Sequence, residues 1–217
     1  MEDIKKIIQN IRNDFNNEEL NELHLPENPF DAFVEWMKEA IQKQVPEYNA
    51  MVVSTVNQNL QPSSRIVYLR DYEKDTFTFY CNYLSKKSRD IQDNNKVALL
   101  FYWIPLQRQI RIEGIAKKSP IEKSKSYFES RPYENQISAY ASVQSQKIAS
   151  RSELLKKFEE YAQKFPTYPV PYPEHWGGWD VEAHYYEFWQ GRPSRLHDRI
   201  AYEKQKDGSW TKYRLSP

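Results

Sequence analysis

The segments AMVVSTV (residues 50–56), NQNLQP (57–62), SSRIVYLRDY (63–72), EKD (73–75) and TFTFYCNY (76–83) decide the fold class. β-Branched and aromatic residues crowd the three longer pieces, while the two short ones carry the Asn, Pro and Asp of tight turns. They read as antiparallel strands joined by short turns. KVALLFYWI (96–104) and RQIRIEGIAKK (108–118) extend the series across a PLQ turn. Five strands packed this closely in sequence point to a small barrel or a strongly curled sheet.

Outside this block the periodicity becomes helical. Asn28 precedes Pro29, and Phe30, Phe33, Val34, Met37 and Ile41 follow at helical spacing, which predicts a capped helix stopping near Pro46. Ser119-Pro120-Ile121-Glu122 reads as a capping box opening a helix to about Arg131, where Pro132 ends it. A second box, Ser150 to Glu153, opens LLKKFEEYAQKF, which Pro166 closes. TYPVPYPEHWGG (167–178) is too apolar for a free linker and is expected to pack down. Strands return in VEAHYYEFWQ (181–190), RLHDRIAYEK (195–204) and SWTKYRLSP (209–217), with turns at GRPS and KDG. Residues 1–27, polar apart from Ile4, Ile7, Ile8 and Ile11, form an N-terminal arm, either a short helix or a mobile lid. Residues 28–217 then make one domain, mainly β with flanking helices.

Composition narrows the function. The 217 residues carry 31 Lys+Arg against 30 Asp+Glu, a net charge of +1, which argues against a polybasic nucleic-acid binder. The single cysteine, Cys81, cannot make an internal disulfide, and His24, His175, His184 and His197 show no zinc-ligand spacing. No apolar run reaches the length of a membrane span and MEDIKKIIQN lacks a secretory core, so the expected setting is cytoplasmic and reducing. The five glycines, at 114, 177, 178, 191 and 208, form neither GxGxxG nor a P-loop. A phosphorylated ligand would therefore be gripped by side chains.

Several cationic groupings could do so. On a regular strand Arg195, His197 and Arg199 share a face, either solvated and neutralised by nearby acids or serving as a platform for an anionic, aromatic ligand. Arg65 and Arg70 are an odd number of residues apart, which on one strand sends them to opposite faces, to two anions or simply to water. Ser85-Lys86-Lys87 place a hydroxyl and two cations where a loop or helix start is expected. Tyr127 and Arg131, four apart on a helix, suit either a phosphate clamp or a plain intrahelical contact. Gln109, Gln144 and Ser145 offer hydrogen-bonding side chains for the edge of a heterocycle. With no GxSxG elbow, a serine triad has no support. These residues describe a β-rich domain with arginine-lined sites for small phosphorylated, aromatic ligands, and they leave the reaction open.

RIVYLR, FYCNYLSKKS, LLFYWIPLQRQIRIEG, YFESRP, the Gln144-Ser145 pair, HWGGW and EFWQGRPSRLHDR, in this order from about Asn28 to Pro217, resemble the pyridoxine/pyridoxamine 5′-phosphate oxidase family, with a weaker echo in IRNDF. The resemblance implies an FMN-binding split β-barrel and a homodimer with FMN in two clefts at the subunit interface. By similarity, Arg65, Lys86 and Lys87 hold the FMN phosphate and its neighbourhood, and Ile66, Val67, Tyr80 and Cys81 line the same site. Gln109, Gln144, Ser145, Trp189 and Arg199 complete the flavin contacts, some from the second subunit. Arg70, Tyr127, Arg131 and Asn135 meet the substrate phosphate, and Arg12 belongs to the substrate-binding N-terminal motif. Arg195 and His197 engage the pyridine ring in an orienting and electrostatic role. The implied reaction moves a hydride equivalent from C4′ of pyridoxamine or pyridoxine 5′-phosphate to the flavin. Dioxygen takes the electrons, and pyridoxal 5′-phosphate and hydrogen peroxide leave, with ammonia from the amine.

Four positions depart from the family pattern. Arg70 stands where lysine is common, Asn135 where serine is, Lys86 where arginine is, and Phe15 replaces a tyrosine. The expectation is retained activity with an altered Michaelis constant. The rivals are another split-barrel oxidoreductase, a non-catalytic FMN or pyridoxal phosphate carrier of the same fold, and a single-stranded nucleic-acid module, which the near-zero net charge disfavours.

Overall fold

The computed structural model describes residues 2–10, 15 and 19–217. Its strands are β1 (Ala50–Val56), β2 (Pro62–Tyr68), β3 (Asp71–Glu73), β4 (Thr76–Asn82), β5 (Lys96–Trp103), β6 (Arg108–Lys118), β7 (Trp176–Gln190), β8 (Asp198–Lys204) and β9 (Trp210–Arg214). The helices are α1 (Glu2–Asn10), α2 (Pro29–Gln42), α3 (Lys86–Asp93), α4 (Ile121–Glu129), α5 (Tyr133–Ala141) and α6 (Arg151–Lys164). The strands form one sheet in the order β2-β1-β5-β6-β7-β4-β3, with β8 on β7 and β9 on β8. The first 50–83 segments pair as expected: β1 and β2 run antiparallel from Ala50↔Tyr68 to Val56↔Pro62. Among the described residues no helix is long and apolar enough to cross a membrane.

The chain divides into two compact units. The first comprises Met1–Tyr48, Phe101–Arg111 and Tyr185–Pro217. Asn28 caps α2 by accepting from the Phe30 amide at 2.9 Å, and the helix buries Phe33, Trp36 and Met37. Phe33 meets Phe101 at 5.5 Å, and Trp36 meets Phe188 edge-on at 5.1 Å. The apolar stripe stops short of the expected length: α2 ends at Gln42, and Ile41 is exposed. The arm forms α1, with Ile4, Ile7 and Ile8 exposed.

The second unit comprises Asn49–Leu100 and Ile112–His184. Its strands bury Val53, Phe77, Phe79, Leu99, Ile112 and Val181, and a second cluster gathers Phe128, Ile137, Val170 and Trp176. The 167–178 connection is packed down as expected, for Val170 is buried and its amide donates to Gln136 Oε1 at 2.8 Å. α6 opens with the expected box: Ser150 Oγ accepts from the Glu153 amide at 3.2 Å, and the Glu153 carboxylate accepts from the Ala149 amide at 3.0 Å.

Elsewhere tertiary contacts override the local signals. Ser119 does not cap α4. Its hydroxyl donates to Asp180 Oδ1 at 2.6 Å, Pro120 takes the cap position, and the helix ends at Glu129, before Arg131. Pro132, read as a terminator, stands at the start of α5, because a proline lacking an N–H begins a helix as readily as it ends one. β7 starts at Trp176, five residues before the expected strand, so Gly177 and Gly178 lie within a strand. A Cβ on Gly178 would sit 2.3 Å from Ser119 Oγ and 3.0 Å from the Tyr80 ring. Glycine is required there by close packing. Gly178→Ala is expected to lower the unfolding free energy by about 1–3 kcal/mol in a urea titration.

The expectation for residues 195–204 also changes. β8 begins at Asp198, and Ser194 and Arg195 are consecutive left-handed residues with φ of 56° and 60°. Arg195 and His197 thus lie in a turn after Pro193, and strand alternation does not place them on one face with Arg199. Likewise SSRIVYLRDY splits after Tyr68 into β2 and β3, leaving Arg70 outside both strands.

Candidate active site

A cavity of about 1310 Å³ opens in the second unit. Arg65, Arg70, Lys86, Lys87, Arg89 and Arg131 line it, and among the described residues no carboxylate does. Its volume exceeds the roughly 300–1,000 Å³ typical for one drug-sized ligand, so it has room for a cofactor and a substrate together. Of the residues singled out in the sequence, Arg65, Ile66, Val67, Tyr80, Cys81, Lys86, Lys87, Gln144 and Ser145 line this cavity, and so do Arg70, Tyr127, Arg131 and Asn135. The odd spacing of Arg65 and Arg70 therefore does not separate them, because the strand ends between them.

The first cationic group is built around the start of α3. Ser85 caps the helix, which puts Lys86 and Lys87 in its first turn, where the backbone itself favours an anion. Lys87, only 7% exposed, donates to Gln144 Oε1 at 2.8 Å. Arg65 donates to the Val53 carbonyl at 3.2 Å and to Thr55 Oγ1 at 2.8 Å. Behind them the buried Asp90 accepts from Lys86 at 2.8 Å and from Thr55 at 2.8 Å, with Arg65 at 3.9 Å.

Burial pushes the Asp90 carboxyl up, but the hydrogen bonds from Lys86 and Thr55 and the charges of Lys86 and Arg65 outweigh it, and the pKa is lowered on balance. A carboxylate whose pKa is lower folded than unfolded stabilises the fold in full above the unfolded value, about 3.9. That stability is lost as pH falls through the folded value. Wild type is expected to be more stable than Asp90→Asn at about pH 6, and the difference to shrink on acidification to about pH 3. Urea titrations at both ends of that range check it.

The second group surrounds the start of α5. Tyr80 and Tyr127 stack at 3.9 Å, Tyr80 and Trp176 at 5.4 Å, and the Arg131 guanidinium lies 4.7 Å over the Trp176 ring. Arg131 Nη1 is buried and has no hydrogen-bond partner among the described residues. Asn135 stands in the first turn of the helix that follows. Burial lowers the pKa values of Arg65, Lys87 and Arg131. The like charge of Arg65 adds to this at Lys87, and that of Arg70 at Arg131. Three desolvated cations and one orphaned guanidinium N–H are a donor set shaped for anions, and they fit the phosphate of FMN and a second monophosphate.

Gln109, Trp189, Arg195, His197 and Arg199 belong to the first unit. There Trp189 meets the His197 ring at 4.7 Å, and Phe15 packs edge-on to both, at 5.6 and 5.4 Å. Arg199 donates to the buried Glu187 at 2.9 Å, and Glu187 also accepts from Arg111 at 2.8 Å. Arg12 lies outside the described residues.

Sequence reasoning missed Ser63, Asn82, Arg89, Ser138, Ser142 and Trp176 as cavity-lining residues. Asn82 and Trp176 sit inside the quoted FYCNY and HWGGW motifs and could have been found there. Ser138 and Ser142 lie on or beside α5, which had no periodicity to announce it.

The family model described as Pyridoxamine 5'-phosphate oxidase matches residues 37–165. The pyridoxine/pyridoxamine 5'-phosphate oxidase of Herminiimonas arsenicoxydans is 46% identical over 210 residues, 97% of this chain and 99% of that protein. This chain belongs to the pyridoxamine 5'-phosphate oxidase family. A second model, described as the pyridoxine 5'-phosphate oxidase C-terminal dimerisation region, matches residues 176–217. The oxidase of Haemophilus influenzae is 47% identical with the same coverage. Among solved structures, PhzG from Burkholderia lata 383, in complex with tetrahydrophenazine-1-carboxylic acid, aligns with a TM-score of 0.87 at 23% identity over 94% of this chain and 100% of that one. A pyridoxamine 5'-phosphate oxidase-related, FMN-binding protein from Nostoc punctiforme aligns at 0.72 and 14% identity over 88% and 98%. At such identities these two structures carry the fold alone, and they agree with the mainly β split barrel that the family resemblance implied.

Proposed function

We propose that this member of the family oxidises pyridoxamine 5′-phosphate and pyridoxine 5′-phosphate to pyridoxal 5′-phosphate, with FMN as cofactor and dioxygen as terminal acceptor. Hydrogen peroxide is released, with ammonia from the amine. The observation that carries this reading is a cavity with no carboxylate among its described lining residues and with two cationic groups, each at the start of a helix, joined by an aromatic wall. Arg65, Lys86 and Lys87 hold the FMN phosphate, and Ile66, Val67, Tyr80, Cys81, Gln144 and Ser145 line its site. Arg70, Tyr127, Arg131 and Asn135 take the substrate phosphate. Bound FMN supplies the two-electron acceptor; the side chains bind, orient and exclude water, which is the main requirement for a reaction that depends on placement.

Gln109, Trp189 and Arg199 complete the flavin site, and Arg12, Arg195 and His197 the substrate site, with a second copy of the chain contributing across a homodimer interface. Two features favour a covering partner: β2 ends the sheet path, and Ile66, which lines the cavity, is 69% exposed. A cytoplasmic setting fits a chain with one buried cysteine.

The test is the visible spectrum of the FMN-loaded protein before and after anaerobic addition of pyridoxamine 5′-phosphate. Bleaching of the flavin, and its recovery with oxygen uptake when air is admitted, is the expected result. An unchanged spectrum with the ligand bound would sink the oxidase reading and leave the carrier. Near-full-length identity of 46–47% to the named oxidases favours the oxidase.

A further inference from the structure

Five side chains close a ring of hydrogen bonds behind the first cationic group. Ser63 and Arg65 alternate onto one face of β2, Thr55 stands opposite Ser63 on β1, and Lys86 and Asp90 are one turn apart on α3. Lys86 Nζ donates to Asp90 Oδ2 at 2.8 Å and to Ser63 Oγ at 3.2 Å, and Arg65 Nη2 donates to the same Ser63 oxygen. Arg65 Nη1 donates to Thr55 Oγ1 at 2.8 Å, and that hydroxyl lies 2.8 Å from Asp90 Oδ2. It has one proton to give. The carboxylate at 2.8 Å takes it in preference to the Ser63 carbonyl at 3.5 Å, which leaves the oxygen lone pairs facing Arg65.

The ring joins the two elements that bring the cations together. Arg65 comes from the β1-β2 pair and Lys86 from α3, and Asp90, 4% exposed, reaches both while lying outside the cavity lining. Among the described residues it is the only carboxylate paired with Arg65, Lys86 or Lys87. The Lys86 side chain is 44% exposed, so without this anchor a long flexible chain is free to turn into water. A phosphate gripped by loose cations loses affinity to the entropy of ordering them. With the ring closed, that ordering precedes binding. The charge matches as well, because three cations and one carboxylate leave two positive charges for a phosphomonoester dianion.

We propose that Asp90 is a positioning residue for the cofactor phosphate: from behind the cavity wall it fixes Lys86 directly and Arg65 through Thr55, so that the grip is formed before the flavin arrives. This deepens the proposed function and rests on its placing of the FMN phosphate at Arg65, Lys86 and Lys87. The device serves the phosphate alone, and a flavin without one gains nothing from it.

The experiment compares FMN with riboflavin, which lacks the phosphate, by the flavin released on dilution of full-length protein loaded with either. Asp90→Asn keeps the shape but sets an amide against the Lys86 and Thr55 donors. The affinity ratio of FMN to riboflavin is expected to fall about 10-fold, with riboflavin affinity unchanged. Thr55→Val keeps every charge and cuts the link to Arg65. A fall of about 3-fold is expected, and this variant decides the matter if Asp90→Asn does not fold. Equal losses for both flavins are the mark of a merely structural role and overturn the proposal. An unchanged ratio in Asp90→Asn overturns it too, and so does a higher one, the effect of a carboxylate that only repels the phosphate. Lys87→Met separates the proposal from the function beneath it. A lowered ratio there, with a normal one in Asp90→Asn and Thr55→Val, rejects the role of Asp90 alone. A ratio unmoved in Lys87→Met takes the phosphate away from these cations and rejects both.

Discussion

Arg131→Met is expected to raise the Michaelis constant for the phosphorylated substrate by about 100-fold or more, and at the same time to make the unliganded protein more stable. The two effects share one cause. The guanidinium is held over Trp176 at 4.7 Å with Nη1 buried, so without a ligand the protein keeps a desolvated cation one of whose N–H groups has no acceptor among the described residues. Methionine fills much of the same space and removes that cost. Charge-assisted hydrogen bonds to a phosphate are worth roughly 1.5–3 kcal/mol each, and two of them account for a loss of about two to four orders of magnitude in affinity. Steady-state kinetics and the thermal midpoint of the apo protein are the two measurements. A variant that binds substrate normally, or that is less stable without ligand, would remove Arg131 from the phosphate site.

Lys87→Met is expected to weaken FMN binding by about 100-fold, read from the recovery of free-flavin fluorescence on dilution. Lys87 is 7% exposed and has Gln144 Oε1 at 2.8 Å, a neutral partner that leaves its charge unbalanced. Burial and the nearby Arg65 lower its pKa, and the charge of Cys81 in its ionised form would act the other way. A dianion placed beside the ammonium favours the charged form, so under the proposed function the protonated lysine is the form expected to bind FMN. Wild-type affinity should consequently fall as pH rises through the lowered Lys87 pKa. In Lys87→Met that alkaline weakening should be absent. An unaltered alkaline dependence in the variant would assign it to another group.

The sequence by itself determined the elements whose signals are local. β6 occupies the expected residues 108–118, Asn28 and Ser150 cap their helices, and of the residues the family motifs name, Arg65, Arg70, Lys86, Lys87, Tyr127 and Arg131 line one cavity. Alternation, capping and turn chemistry depend on neighbours a few residues away, and for that reason they can be read in one dimension. Tertiary structure decided the rest. Ser119 left its helix for Asp180, a carboxylate 61 residues away. Gly177 and Gly178 joined a strand because Tyr83 and Ser119 occupy the space a side chain would need. Arg65 and Arg70 came to one cavity because the strand between them stops, and Arg195 left its strand for a turn closed by His197 Nδ1. For Ser119, Gly177 and Gly178 a contact distant in sequence outweighed a local preference worth about a kilocalorie per mole, whereas the Arg195 turn is closed by a hydrogen bond between residues only five apart.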